Sequence, residues 1–207
     1  FKNHFSGSDN SEQGVFSLFY GLPNSYWDTV TDNHIPPILM NKINQQHRPI
    51  GLFSSIGLVH PEFLQSSFSQ LSVTSNVHYA KTDNNNQVVH QWQKWLSRQS
   101  TKKPWFSYLY LEQKNSVQFS KYAQKSITEQ AKTLALYQSQ VIDIDNKIKR
   151  LINGLKKQKQ YNNTIIIITG TNGLSFKGID SDAALINGSH VPMVMILPHT
   201  GPQVITR

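Results

Sequence analysis

Ser11 and the pair Thr171-Asn172 stand where an α/β protein can place chemistry. Ser8-Asp9-Asn10-Ser11 precedes a helical stretch, so Ser11 presents a hydroxyl at a helix N-terminus. Unpaired backbone N–H groups and the helix dipole there favour an anion or a developing alkoxide. That environment suits a serine that accepts a phosphoryl group beside a metal. The alternative is that Ser8, Asp9, Asn10 and Ser11 simply cap the helix. Gly170-Thr171-Asn172-Gly173-Leu174 follows the apolar run Thr164-Ile165-Ile166-Ile167-Ile168-Thr169, which reads as a buried strand. Open α/β sheets place their chemistry at the carboxyl ends of such strands. A hydroxyl and an amide are poor ligands for a divalent cation compared with a carboxylate or an imidazole. His190, just before Val191, is a third candidate, although it also reads as an ordinary loop histidine. The remaining histidines show no i, i+4 or His-x-His spacing, so they indicate no independent metal site.

The elements that must carry these residues alternate between strand and helix. Asn10 caps a helix through Ser11–Tyr20, with Gln13 in the capping-box position, and Gly21-Leu22-Pro23-Asn24 ends it. After Pro36-Pro37, Ile38, Leu39, Met40 and Ile43 make a short amphipathic helix. A strand follows at Ile50–Ser54, then a short helix from His60-Pro61 through Phe68. Past the polar loop Asp83–Gln87, a helix over Val88–Gln99 aligns Val88, Trp92, Trp95 and Leu96 on one face, and Trp105–Leu111 is a second buried strand. The longest helix begins at Ser126, with Glu129 completing a second capping box. It repeats Ile127, Ala131, Leu134, Tyr137, Val141, Ile144, Ile148, Leu151 and Leu155 on one face for about eight turns. The run Thr164–Thr169, a polar loop to Ser189 and a strand at Val191–Leu197 close the pattern. Such alternation predicts an α/β/α core with a mainly parallel sheet. Ile165–Ile168, Phe106–Leu111, Ile50–Ser54 and Met193–Leu197 are expected as neighbours in one sheet, with the long helix packed on it.

With 207 residues and 38% hydrophobic content, the chain can bury a core. Charged residues make up 15%, below the roughly 25% of ordinary domains, and the net charge is +8. That excess suits an anionic partner, or else merely aids solubility. No Arg-rich stripe or nucleic-acid motif is present, so nucleic acid is not expected as a partner. Lys147, Lys149, Arg150, Lys156, Lys157 and Lys159 gather on the long helix and its end, where cations complement a helix C-terminus or could meet a lipid phosphate. No cysteine occurs, which excludes disulfides, cysteine-ligated zinc and a cysteine nucleophile. No stretch approaches the length of a membrane span.

Several blocks carry a family resemblance: His4-Phe5-Ser6-Gly7, Leu18-Phe19-Tyr20-Gly21-Leu22-Pro23, Tyr26-Trp27, Gly51-Leu52-Phe53-Ser54-Ser55 and Pro104-Trp105-Phe106-Ser107. Asp145 with Ile148 and Leu151, Asn163-Thr164 with the Ile run, and Val191-Pro192 extend it over nearly the whole chain. The chain resembles the periplasmic domain of the YejM/PbgA/LapC family of Gram-negative inner-membrane proteins. That domain belongs to the alkaline phosphatase/sulfatase superfamily, beside lipoteichoic acid synthase and phosphoethanolamine transferases. The resemblance implies an alkaline phosphatase/sulfatase-like α/β/α sandwich. Residues 1–207 then form one sulfatase-like domain, read as a fragment whose transmembrane part and first strand lie upstream and whose C-terminal part is missing.

The resemblance also locates the site. Ser11 falls at the superfamily's nucleophile or metal-ligating hydroxyl. The superfamily strand ends in Gly-Asp-His-Gly, whose Asp and His bind the catalytic metal, and here Thr171 and Asn172 replace them. Near Glu112-Gln113-Lys114-Asn115 the active transferases have a His that this chain lacks, and His190 stands out of register with the last ligand. Ser11, Asn172 and His190 are therefore vestigial metal-site candidates, with Ser11 at the catalytic position. The absence of cysteine also removes the formylglycine of true sulfatases. No cofactor is expected; a divalent metal would be needed if the site were active. The implied function is a degenerate domain, on the periplasmic side of the inner membrane, of a protein that senses lipopolysaccharide and regulates its synthesis. Expected partners are lipopolysaccharide, lipid A or anionic phospholipid, and an assembly regulatory protein reached through the membrane part. The alternative is a weak metal-dependent phosphatase or phospho-group transferase using Ser11.

Overall fold

The computed structural model describes residues 1–55, 67–68, 77–81, 84–112, 129–173 and 188–206. The helix expected from His60 and the capping box at Ser126 fall wholly or mostly outside these residues. In chain order the described elements begin with helices α1 (Ser11–Tyr20), α2 (Trp27–Asp32) and α3 (Ile38–Gln45) and strands β1 (Ile50–Ser54) and β2 (Val77–Lys81). Helix α4 (Asn85–Leu96), strand β3 (Phe106–Tyr110), helix α5 (Glu129–Lys157) and strands β4 (Ile166–Thr169) and β5 (Met193–Ile196) follow. β2 and α2 were not anticipated by the apolar pattern.

β1 is the middle strand of a parallel sheet in the order β2-β1-β3, with Ile50 opposite both Val77 and Phe106. All five of its residues are buried. Strand side chains alternate between faces, and the two faces build two cores. Ile50 and Leu52 pack with Val15 of α1, Met40 of α3 and Phe68, flanked by Phe19, Phe106, Tyr108 and Tyr110. Phe53 points the other way, to Val88, Trp92, Trp95 and Leu96 of α4, with Trp105 and Leu109 against them. The result is a three-layer arrangement around a parallel sheet. Each fully buried large side chain contributes about 1.5–3 kcal/mol.

Several polar groups inside these layers are paired. Trp92 Nε1 donates to Ser107 Oγ at 3.1 Å, and Trp105 Nε1 donates to Gln160 Oε1 at 2.6 Å. Past the end of β3, the buried Asn85 side chain spans the Glu112 backbone, donating to its carbonyl at 2.7 Å and accepting from its N–H at 3.1 Å. Asn84 caps α4 by accepting from Gln87 N. Burial raises the Tyr108 hydroxyl well above the usual tyrosine range, with Tyr110 adding to the shift.

Two expectations need correction. β4 does not join β1 and β3 in one hydrogen-bonded sheet; it pairs antiparallel with β5, Ile167 opposite Met195. Only Ile166 reaches the core around Phe53. The Ile run is also not a fully buried strand, since Ile165 is 62% and Ile167 50% exposed. With Met195 and Leu197 they give the ribbon an exposed apolar face. An apolar run signals that a strand can be buried, but it carries no information about its partner.

The long helix departs from expectation in the same way. Leu155 is buried and Leu151 and Ile166 flank the same core, while Ile144 and Ile148 are half-buried and Leu134 and Val141 are exposed. α5 packs through its C-terminal part, chiefly on α4. Lys147, read from sequence as one of the cations complementing the helix C-terminus or meeting a lipid phosphate, lies buried on this helix and is ion-paired one turn back to Asp143.

Candidate functional site

α1 begins as its sequence dictates. Asn10 holds extended backbone (φ −114°, ψ 155°), and its Oδ1 accepts from Gln13 N at 2.9 Å. The reciprocal half of the capping box is absent: Gln13 Oε1 instead accepts from Ser8 Oγ at 2.8 Å and from Asn24 Nδ2 at 3.3 Å. Gly21 closes the helix in the left-handed region at φ 66°, where L side chains are strained. Asn10, not Ser11, is the cap. Ser11 is the first helical residue, and its side chain is free to turn elsewhere.

It turns to the end of β4. Ser11 Oγ donates to Asn172 Oδ1 at 3.0 Å. Thr171 Oγ1 lies 2.9 Å from that same oxygen and 3.2 Å from Ser11 Oγ, so its single hydrogen serves one or the other. Asn172 Nδ2 donates to Gly173 O at 3.1 Å. The structure thus brings Ser11, Thr171 and Asn172 together across some 160 residues of sequence.

Backbone contact holds the two segments in place. A Cβ on Gly14 would stand 1.9 Å from Thr171 O, so only glycine lets α1 approach the strand end this closely. Ser6 Oγ adds a hydrogen bond to the same carbonyl. Gly173 N donates to Gly188 O at 2.6 Å, tying the loop to the segment ahead of β5. Sequence reasoning missed Ser6 and Gly14 as positioning residues. The available signal was a glycine inside an otherwise sound helical stretch, which usually has a packing reason.

His190 does not join the cluster. Its segment ladders onto the approach to α1, with Ser6 N donating to Ser189 O at 2.7 Å and Val191 N to His4 O at 3.0 Å. The ring is exposed; its Nε2 lies 3.0 Å from Lys2 O, and it stacks at a tilt 5.1 Å from Phe5. His4, on the same ladder, has its pKa lowered, first by burial, with His190 adding to the shift.

The donors that the described residues bring to the strand end are two hydroxyls and an amide, all neutral. A divalent cation sheds water only for donors that compensate its charge, and this set does not fit one. Among the described residues, no three His, Cys, Asp or Glu side chains converge to hold a metal. The Ser11 proton is directed at an amide oxygen, which cannot act as a base, and either orientation of the amide leaves it uncharged. Among the described residues, the arrangement orders the strand end and places no base on Ser11.

Comparison with known proteins places the fold. The sulfatase family model matches residues 1–207. The chain is 30% identical over 207 residues to the inner membrane protein YejM of Salmonella typhimurium, covering 99% of this chain and 33% of that protein. It is 29% identical over 178 residues to an uncharacterized protein of Haemophilus influenzae, covering 85% of this chain and 26% of that one. The match therefore spans about a quarter to a third of the length of these relatives. The fold is similar to the C-terminal periplasmic domain of the phosphoethanolamine transferase EptC from Campylobacter jejuni, with TM-score 0.67, 12% identity and coverage of 95% of this chain and 66% of that one. It is also similar to an alkaline phosphatase superfamily protein from Vibrio parahaemolyticus, with TM-score 0.66, 13% identity and coverage of 98% and 52%. With the family model spanning every residue, the chain belongs to the sulfatase family.

Proposed function

We propose that this sulfatase-fold domain belongs to an inner-membrane protein, faces the periplasm, and serves as a degenerate, non-hydrolytic sensor or scaffold in the control of lipopolysaccharide synthesis. The observation that carries the reading is the neutral Ser11–Thr171–Asn172 cluster, in which hydroxyls and amide satisfy one another where a metal centre would need charge. Similarity to an inner membrane protein supports the membrane setting. Among the described residues no helix is long and apolar enough to cross a membrane, so this domain would act beside the bilayer. The net charge of +8 favours lipopolysaccharide, lipid A or an anionic phospholipid as the ligand. An assembly regulatory protein, reached through the membrane part, would carry the signal onward.

A second reading, a weak metal-dependent phosphatase or phospho-group transferase, draws on the Ser11 hydroxyl at the first turn of α1. It needs a metal, and a base for the serine proton, that the cluster does not supply. The two readings separate in cells that carry the full-length gene product. Replacing it with Ser11→Ala leaves lipopolysaccharide levels at the wild-type value on the sensor reading. Loss of that control at unchanged protein abundance would contradict it.

A further inference from the structure

A groove of about 300 Å³ opens between the C-terminal parts of α4 and α5. His90, Gln93 and Lys94 line it from α4, Gly154 and Lys157 from α5, and Gln158 from the turn just past α5. A Cβ on Gly154 would stand 3.2 Å from the Trp92 ring, so the helices close tightly at the groove's base. Among the described residues, the lining includes two lysines and no carboxylate.

Each lysine alone is the ordinary cation of a last helical turn. Their convergence on one concavity is less ordinary, and three neighbouring cations on α5 have partners within the chain. Lys147 pairs with Asp143, Arg150 donates to Asn86 Oδ1 at 2.8 Å, and Lys156 lies 5.0 Å over the Tyr161 ring. Lys94 and Lys157 have no such partner among the described residues. Two like charges lining one concavity repel, and an anion between them relieves that cost. Gln158 is half-buried at the edge, where its amide can donate.

We propose that this groove binds a phosphate-class oxyanion between Lys94 and Lys157, either free or as the phosphate of a lipid. The site is independent of Ser11, and its test does not depend on whether the domain hydrolyses anything. Calorimetric titration of the full-length gene product at low salt, with inorganic pyrophosphate in one arm and a soluble short-chain phosphatidylglycerol in the other, separates the two sources. The double variant Lys94→Gln/Lys157→Gln is expected to weaken binding about tenfold in the arm that binds. Lys42→Gln/Lys102→Gln removes the same charge elsewhere and is expected to leave affinity unchanged. Equal weakening by both double variants, or no binding in either arm, would overturn the proposal.

Discussion

The parallel sheet and the β4–β5 ribbon share one chain but are held by different physics. In the sheet, β1 is buried at every position and large side chains from α1, α3 and α4 fill both faces. In the ribbon, Ile165, Ile167, Met195 and Leu197 leave one face exposed, and polar contacts to α1 fix the end of β4. The candidate site lies in the second region. Its geometry depends on a few close approaches and not on bulk burial, so small changes there should alter placement before they alter stability.

The largest contrast should appear on truncating apolar side chains. Phe53→Ala or Trp92→Ala removes a buried aromatic ring and is expected to cost about 3–5 kcal/mol. Ile167→Ala, already 50% exposed, should cost about 1 kcal/mol or less. Urea unfolding midpoints measure both, and equal losses would erase the distinction between the regions.

Gly14→Ala sharpens it from the other side. Alanine is the better helix former, yet its Cβ would meet Thr171 O at 1.9 Å. The expected result is a loss of about 1–3 kcal/mol, together with loss of the Ser11–Asn172 hydrogen bond seen by NMR. A gain in stability would mean that α1 is not pressed against the strand end. Smaller effects should divide the cap from the site: Asn10→Ala should cost about 1 kcal/mol, and Ser11→Ala about 1 kcal/mol or less. A larger cost at Ser11 than at Asn10 would reverse their assigned roles.

Much of the sheet region was legible because periodicity and capping rules act locally. Ser11–Tyr20, its Asn10 cap and the aromatic face of α4 follow from residues within a turn or two of each other. Strand partners do not, which is why β4 was expected beside β1 and β3 and is found paired with β5. Apolar spacing also marked Leu134 and Val141 for a buried face, although nothing among the described residues covers them. At the site, family resemblance located Ser11, Thr171 and Asn172, since no local rule links residues so distant in sequence. It carried no information about the Asn172 amide accepting the Ser11 proton, which depends on the contact between Gly14 and Thr171.

The central claim is that the strand end at Thr171-Asn172 is a neutral, self-satisfied cluster in a domain that does not hydrolyse. The most direct measurement combines zinc and manganese binding with phosphomonoester turnover by the full-length gene product, as wild type and as Ser11→Ala. The account predicts weak metal binding and no turnover that distinguishes the two proteins. A tightly bound divalent metal that is lost with Ser11→Ala, or metal-dependent turnover that the substitution abolishes, would contradict it.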